Sequence, residues 1–367
     1  MPEKDHITIT PPRELALNCP GADAHGINCA HAFPDLARYR EQFYLAFRSA
    51  PSHFPSKRAR IHIFSAADAH SWQPEHSISA DLDIRDPQFL QFNGALYLFY
   101  MTHSMQLFNH EPVRIYFTKK TEHGWSDPVA LPFKQSGFWN VKARDSRVYI
   151  SLYTRNGEQD RRVKRHFALY YSSDLKDWEP TFTSPITRER LRSYQTSEST
   201  FAFDQDGNIF GTIRSLIYPN INFSINARQP QQWSMRVDRF KCDGPKLFEN
   251  RGRFYLVARR SDFYRLRNEP FRFLNGWRNL HNVIRYSLSK KRTALYHFDP
   301  HTLQIEHIQD LPSHGDTGYS AITPIDQDRF LLIYYSSPIS GKSDHSWLRG
   351  QVSGNTRLYA VELSFTR

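Results

Sequence analysis

The chain repeats one short pattern six times: a turn leads into a burst of aromatic and aliphatic residues that often ends in Arg or Tyr. Arg40-Glu41-Gln42 and Asn93-Gly94 are the first two of these turns. The six apolar runs are 43–48, 96–100, 148–153, 209–214, 254–259 and 330–335. Hairpins repeated at roughly even spacing are typical of a β-propeller. We therefore predict an all-β, six-bladed β-propeller of four-stranded antiparallel blades around an axial pocket.

The repeats divide the chain without leaving a linker, so we predict one domain over residues 1–367. The expected blades are 30–78, 79–131, 132–184, 185–240, 241–312 and 313–367. Residues 1–29 form an N-terminal segment that contains an alternating stretch, 6–10, able to pair with the last blade and remove a free sheet edge. The longest insertion, about 261–290, is a candidate lid or interface, because loops of this length are often functional.

Two turns share the form small-x-Asp-x-x-x-Trp, at 66–72 and 172–178. Asp suits a tight turn because its carboxylate accepts hydrogen bonds from nearby backbone N–H groups. Trp supplies a large apolar surface that packs between sheets. We interpret these turns as structural.

Charge and composition restrict the class of partner. The formal net charge is +11, which favours anionic partners. The basic residues are spread through all the repeats and no helix-turn-helix or RNA-binding motif is visible, so we expect an anionic glycan or sugar acid and no nucleic acid. No apolar run approaches ~18 residues, so no membrane span is expected. Met1–His6 lacks a signal-peptide core, so we expect either a cytoplasmic protein or one from which a leader has been removed.

Cysteine usage gives no sign of a metal site. Cys19, Cys29 and Cys242 lack the paired ligand spacing of a zinc site. We expect neither a metal nor a cofactor.

Polar residues recur just before the hairpins, where the inner strand of each blade would line the axis. These candidates are Asp35, Arg85, Asp86, Trp139, Glu198, Asp243 and Tyr319. A second set lies at the ends of the following strands or in the first loop. It consists of Arg48, His53, His103, Arg214, Arg259 and Arg260. Converging guanidinium groups bind carboxylates bidentately, so the pattern predicts an axial site for an acidic ligand.

Two segments resemble the sialidase superfamily, whose members are six-bladed propellers with degenerate Asp-box turns. One is Thr317-Gly318-Tyr319-Ser320, similar to the last-blade segment that carries the nucleophilic tyrosine. The other is Ser197-Glu198-Ser199, followed by a turn and a strand that ends at Arg214. The resemblance implies that Tyr319 is the nucleophile, Glu198 its general base and Arg214 one of three carboxylate-binding arginines.

The sequence departs from the sialidase pattern in the first blade. Ala32-Phe33-Pro34 stands where the family has Arg-Ile-Pro, and Arg48 is a candidate replacement for the missing arginine. The loop expected to supply the acid Asp, 49–56, has no carboxylate, which leaves His53 or Asp86 as candidates. The third carboxylate-binding arginine stays open among Arg259, Arg260, Arg285 and Arg292.

Three functions fit these patterns. The first is a sialidase-like exo-glycosidase that hydrolyses a terminal anionic sugar, sialic acid or a related 2-keto-3-deoxy acid. The second is a carboxylate-pair glycosidase or phosphorylase of the five-bladed, arabinanase-like propellers, in which Asp35, Asp86 and Glu198 share the acid and base roles. The third is a non-catalytic glycan-binding propeller. Blade count separates the first from the second.

Overall fold

Six antiparallel sheets form a closed ring in the computed structural model. It describes residues 6–19, 30–105, 111–154, 166–181, 196–215, 218–230, 232–261, 284–340 and 344–366. The chain begins with β1 (His6–Ile9) and β2 (Arg13–Glu14). Blade 1 consists of β3 (Ala30–Tyr39), β4 (Gln42–Ala50), β5 (Arg60–Ala66) and β6 (Gln73–Ser79). Blade 2 consists of β7 (Asp83–Phe92), β8 (Ala95–His103), β9 (Pro112–Thr121), β10 (Gly124–Trp125) and β11 (Val129–Lys134).

The remaining four blades follow the same up-and-down order. Blade 3 consists of β12 (Ser136–Arg144), β13 (Arg147–Thr154), β14 (His166–Ser172) and β15 (Glu179–Pro180). Blade 4 consists of β16 (Thr196–Phe203), β17 (Ile209–Ser215), β18 (Ile221–Ile225) and β19 (Trp233–Val237). Blade 5 consists of β20 (Cys242–Asn250), β21 (Arg253–Ser261), β22 (Lys291–Asp299) and β23 (Gln304–Asp310). Blade 6 contains β24 (Gly318–Pro324), β25 (Arg329–Ser336) and β26 (Arg357–Thr366), with a short helix at Trp347–Ser353.

Strands from both ends of the chain complete blade 6. The strand order of this sheet is β1-β26-β25-β24, and β2 also pairs with β26. The register places His6 opposite Thr366 and Ile9 opposite Leu363. Each inner strand contacts the inner strands of the two neighbouring blades, so the ring is closed. The predicted six-bladed propeller is therefore confirmed.

The core consists of six apolar clusters, one between each pair of adjacent blades. The second strand of each blade is apolar on both faces because it is covered on both sides by neighbouring blades. In β4, for example, Leu45 and Phe47 are 0% exposed and belong to a cluster that also contains Ile333 and Tyr335 of blade 6. This arrangement explains the six apolar runs in the sequence, since each run is a strand buried on both sides.

The Asp turns have the geometry that the sequence predicts. Asp68 accepts hydrogen bonds from the backbone N–H groups of His70 and Ser71 at 2.9 and 2.7 Å. Asp174 accepts from Lys176 and Asp177 at 2.8 and 2.9 Å. These turns lie on the outside of the blades and have no part in the axial cavity.

Part of the N-terminal segment (residues 20–29) and most of the fifth-blade insertion (residues 262–283) lie outside the described residues. Across the part of the chain that the structure describes, no helix has the length and apolarity needed to cross a bilayer.

Candidate active site

All six inner strands are distorted at the same level of the propeller. Their register shifts lie between Ala32 and Asp35, Arg85 and Gln88, Phe138 and Asn140, Thr196 and Ser199, Asp243 and Lys246, and Gly318 and Ser320. Three non-glycine residues at these bulges have positive φ: Phe33 at 55°, Asp86 at 54° and Tyr319 at 44°. Bulges and left-handed residues redirect side chains, and they concentrate at functional sites. Here they direct side chains from the blades towards the axis.

The redirected side chains surround an axial cavity. Its free space is about 260 Å³, including the part open to solvent. The lining residues are Phe33, Pro34, Asp86, Gln88, Trp139, Pro245, Lys246, Tyr319 and Ser320. Side chains from blades 1, 2, 3, 5 and 6 therefore meet at one place on the axis.

Tyr319 and Glu198 meet at this cavity although 121 positions separate them in sequence. The Tyr319 hydroxyl donates a hydrogen bond of 2.8 Å to Glu198 Oε1. Phe33 and Trp139 contact the phenol ring, with 4.8 and 5.0 Å between ring centroids. Tyr335 stacks on the same ring at 5.9 Å. The phenol is therefore held in place by packing as well as by the hydrogen bond.

Electrostatics keep the Tyr319 phenol protonated. Burial, followed by the negative charge of Glu198, raises the pKa of Tyr319 well above its ordinary value, with Arg259 and Arg214 opposing the shift. A protonated phenol is a poor nucleophile, so it needs a base within reach. Glu198 is the carboxylate that accepts the hydrogen bond of this phenol.

Two further donors orient the Glu198 carboxylate. Arg214 Nη1 donates to Oε1, and the Gly244 backbone N–H donates to Oε2 at 2.7 Å. Gly244 has a φ of 56°, and a Cβ at this position would lie 3.0 Å from the Tyr319 ring. A side chain here would therefore displace the phenol, which explains why glycine occupies the position.

Asp243 lies behind this pair and joins several cations. Its carboxylate accepts hydrogen bonds from Arg214 Nε at 2.5 Å and from Lys241 Nζ and the Tyr286 hydroxyl. Arg259 Nη2 lies 3.7 Å away. Burial alone would raise the pKa of Asp243, but Arg214, Lys241 and Arg259 hold it well below its ordinary value. Asp243 is therefore ionised and acts as the counter-ion of the arginines, not as a contact for an acidic ligand.

The cationic side chains outnumber the carboxylates in this part of the site. Among the described residues, three cations, Arg214, Arg259 and Lys241, pair with two carboxylates, Asp243 and Glu198. Arg259 is 1% exposed, and its Nε has no hydrogen-bond partner among the described residues. Its Cζ lies 5.4 Å from the centroid of the Tyr319 ring. A carboxylate bound beside Tyr319 would supply the missing negative charge.

Arg48 and Arg85 share a different counter-ion. Arg48 Nη2 donates to Asp83 Oδ1 at 2.7 Å, and Arg85 Nε donates to Asp83 Oδ2 at 2.6 Å. Arg48 also donates to the carbonyls of Ser52 and Phe54 and is 0% exposed. Neither arginine lines the cavity, and Arg85 Cζ lies 5.6 Å from the centroid of Phe33, which does. Arg48, the arginine of blade 1, is therefore buried one layer behind the cavity wall.

The two aspartates predicted as catalytic differ in their surroundings. Asp35 accepts hydrogen bonds from Lys246 Nζ and the Phe89 backbone N–H, each at 2.6 Å, and Lys246 also donates to Gln88 at 2.9 Å. Asp86 lines the cavity. Burial raises the pKa of Asp86 to about 7; Arg85 opposes this shift, and the charges of Glu198 and Asp83 reinforce it. Asp35 is thus part of an ion pair below the cavity, whereas Asp86 is a carboxyl group that faces it.

The raised pKa of Asp86 predicts a specific pH dependence of stability. The folded protein binds this proton more tightly than the unfolded chain, whose Asp has a pKa of about 3.9, so stability falls as pH rises from about 4 to about 7. Asp86→Asn removes the effect. We expect the free energy of unfolding of the variant relative to wild type to rise by about 3 kcal/mol between about pH 4.5 and 8 in urea titrations. Parallel curves for the two proteins would contradict the assignment.

The other four predicted residues occupy four different environments. His53 Nδ1 lies 2.9 Å from Asp316 Oδ2, and the His53 ring packs against Phe33 at 5.2 Å. Trp139 is part of the cavity wall, and its Nε1 donates to the Pro245 carbonyl at 2.8 Å. His103 is buried in β8 opposite Asp83 in register. Arg260 lies away from the cavity and pairs with Asp310, with hydrogen bonds of 2.9 and 2.5 Å.

Sequence reasoning missed several residues that organise the site. They are Asp83, Gln88, Lys241, Tyr286 and Tyr335. For Asp83 a signal existed, because residues two apart in a strand share a face and Arg85 was already a candidate. Within the described residues, no cluster of three or more His, Cys, Asp or Glu side chains is arranged to hold a metal ion.

Comparison with known proteins gives matches of structure only. No protein-family profile matches the sequence, and no curated protein matches it. A protein of unknown function from Dyadobacter fermentans superposes with a TM-score of 0.65 at 13% identity, over 98% of this chain and 99% of its own. The phage phi92 endosialidase gives 0.62 at 9% identity, over 99% of this chain and 69% of its own.

Trypanosoma rangeli sialidase in complex with the inhibitor DANA gives a TM-score of 0.61 at 11% identity, over 97% of this chain and 59% of its own. This chain therefore spans about three fifths of the length of the trypanosomal enzyme. Identities this low establish the fold alone. At that level the resemblance inferred from the sequence is confirmed, and the chain has the six-bladed propeller fold of the sialidases.

Proposed function

We propose that this protein is a sialidase-like exo-glycosidase that hydrolyses a terminal anionic sugar, sialic acid or a related 2-keto-3-deoxy acid, from a glycan. The observation that carries the proposal is the 2.8 Å hydrogen bond from the Tyr319 hydroxyl to Glu198 at the wall of the axial cavity. A tyrosine and a glutamate in this relation form an activated nucleophile.

The charge of the substrate explains the choice of nucleophile. A carboxylate nucleophile would repel the carboxylate of a sugar acid, whereas a neutral phenol does not. Sialidases with a tyrosine nucleophile are an exception to the paired-carboxylate scheme of most glycosidases. Arg214 and Arg259 supply the positive charge that binds the sugar carboxylate beside Tyr319.

The reaction follows from these contacts. Tyr319 attacks the anomeric carbon while Glu198 takes the phenol proton, and the bond to the leaving oxygen breaks as that oxygen gains a proton. Water then attacks the glycosyl–tyrosine intermediate, loses one proton and releases the sugar, and Glu198 returns the proton to the phenol. Two displacements at one carbon retain its configuration.

The alternative based on five-bladed propellers is disfavoured on two grounds. The ring has six blades, and Asp35, one of its three carboxylates, is neutralised by Lys246. Gln88, which also binds Lys246, completes a polar floor under the cavity. This floor suits the binding of sugar hydroxyls better than proton transfer.

A substrate panel tests the proposal. The purified protein is incubated with 4-methylumbelliferyl glycosides of sialic acid, octulosonic acid, glucuronic acid and arabinofuranose, and product configuration is followed by proton NMR. We expect release from a 2-keto-3-deoxy acid with retention. Release of arabinofuranose alone, or inversion, would contradict the proposal. Binding of sialylated glycans on an array with no hydrolysis would instead support a non-catalytic propeller.

A further inference from the structure

Within the part of the chain that the structure describes, Asp86 differs from the other carboxylates around the cavity in having no hydrogen-bond donor. Glu198 has three donors, Asp243 is bound by Arg214 and Lys241, and Asp35 is bound by Lys246. Among the described residues, none donates a hydrogen bond to the side chain of Asp86, although it is only 8% exposed. A buried carboxyl group normally finds a partner, so one that faces a cavity without one is available to a ligand.

The backbone holds Asp86 in this position at an energetic cost. Its φ of 54° is rare for a residue with a Cβ, and the register of β7 shifts between Arg85 and Gln88 on either side of it. Strain of this kind persists where the surrounding structure imposes it. Tyr319 is strained in the same way, with a φ of 44°. The two side chains thus reach the same cavity from blades 2 and 6 by the same backbone device.

The geometry points to Asp86 as the general acid and base of the glycosidase reaction, the role for which the first-blade loop lacks a carboxylate. This inference rests on the proposed function. His53 is the other candidate, but Asp316 holds its Nδ1 at 2.9 Å, and its ring packs against Phe33. His53 is not part of the cavity wall, whereas Asp86 is.

Electrostatics support the assignment. A general acid works best when its pKa lies near the pH at which the enzyme operates. Burial raises the pKa of Asp86 to about 7, and the negative charge of Glu198 contributes to the shift. A carboxyl group with a raised pKa near a second carboxylate is the pattern of an acid and a base in one site.

The proton balance closes with these two residues. In the first step the Asp86 proton passes to the leaving oxygen as the glycosidic bond breaks, while Glu198 takes the proton of Tyr319. In the second step the Asp86 carboxylate removes a proton from water, and the water oxygen attacks the anomeric carbon. The Tyr319 phenolate leaves and recovers its proton from Glu198. Both carboxyl groups end in their initial states.

The test compares two leaving groups in Asp86→Asn. The substrates are the 4-methylumbelliferyl and the methyl glycosides of the sugar acid that the panel identifies. An aryl leaving group departs with little protonation, whereas methanol requires it. We expect kcat/KM to fall by about 10²–10⁴-fold for the methyl glycoside and by much less for the aryl glycoside. Equal losses on both substrates would overturn the assignment while leaving the proposed function intact.

Two variants serve as controls for this comparison of kcat/KM on the methyl and the aryl glycoside. Asp35→Asn makes the same chemical change at a carboxyl group bound to Lys246, and we expect it to affect both substrates equally. His53→Asn should do the same. If His53→Asn alone discriminates between the leaving groups, the acid is His53 and the inference is wrong.

A second measurement needs no substrate. In protein labelled with ¹³C at the Asp carboxyl groups, one resonance should titrate with a midpoint near pH 7 and be absent from Asp86→Asn. An Asp86 signal that titrates below about pH 5 would mean that the group is ionised at neutral pH, which excludes the acid role. Failure of the proposed function and failure of this inference are therefore distinguishable.

Discussion

Tyr319→Phe is expected to reduce kcat/KM on the identified sugar-acid glycoside by about 10⁴-fold or more, because it removes only the attacking oxygen. The ring of the variant can keep its contacts with Phe33, Trp139 and Tyr335, so the fold should be unchanged. Glycoside hydrolysis measured with an aryl substrate, beside a urea unfolding curve, separates lost chemistry from lost structure.

Tyr335→Phe is the matched control for that loss. Tyr335 stacks on Tyr319 with an angle of 19° between the rings, but its hydroxyl donates to Asp316 at 3.2 Å and has no contact with Glu198. Removing this hydroxyl should change activity by less than about 10-fold. If Tyr319→Phe retains most of its activity, the nucleophile is one of the carboxylates and the tyrosine mechanism fails.

Glu198→Gln tests the Tyr319–Glu198 pair from the side of the base. The amide is nearly isosteric but accepts no proton, so we expect a loss of about 10²–10⁴-fold at neutral pH. The negative charge of Glu198 contributes to the raised pKa of Tyr319, and the substitution removes that charge. On an aryl glycoside, whose leaving group needs little protonation, residual activity of the variant should therefore increase with pH, because the phenol ionises without a base. Residual activity that does not change with pH would argue against Glu198 as the base.

The sequence predicts the ring of blades because each blade is encoded locally. A turn and an apolar run lie side by side in the chain, so Asn93-Gly94 and the run 96–100 identify a hairpin without any long-range information. The family resemblance added Tyr319 and Glu198, whose segments carry recognisable local motifs. In the structure, the Tyr319 hydroxyl lies 2.8 Å from Glu198 Oε1.

Ion pairing in the site was not predictable, because it depends on contacts between blades. Lys246 binds Asp35 across 211 positions of sequence, and no local pattern links the two. Arg259 and Arg260 illustrate the same limit. Successive side chains of a strand point to opposite faces, so only one of two adjacent residues can be directed to the axis. Which of the two arginines this is depends on the bulge between Asp243 and Lys246. Gly244-Pro245 marks the bulge in the sequence, but no sequence pattern indicates which of the two arginines the bulge directs to the axis.

Asp83→Asn is expected to lower the free energy of unfolding by about 3–5 kcal/mol, measured in urea by fluorescence and circular dichroism. Asp83 is 0% exposed and is the shared counter-ion of Arg48 and Arg85. The substitution keeps the shape of the side chain but leaves two buried guanidinium groups without a negative charge. Adding Arg48→Met to this variant should recover part of the loss, since it removes one of the unpaired charges.

Asp310→Asn is the matched control, because it breaks an Asp–Arg pair of similar geometry near the surface. The side chains of Asp310 and Arg260 are 31% and 27% exposed, so water screens their interaction. We expect a change of no more than about 1 kcal/mol, decreasing with added salt. Equal losses in the two variants would mean that burial is not what makes the Asp83 pair important.

The pH dependence of the Asp83→Asn effect has a defined sign. Burial alone would raise the pKa of Asp83, but Arg85 and Arg48 hold it well below its ordinary value. A carboxyl group with a lowered pKa in the folded state contributes stability above its unfolded pKa of about 3.9 and loses it as pH falls towards the folded value. The difference in free energy of unfolding between wild type and variant should therefore be complete at neutral pH and shrink only in strong acid. A gap that closes near pH 6 would mean that Asp83 contributes something other than its charge.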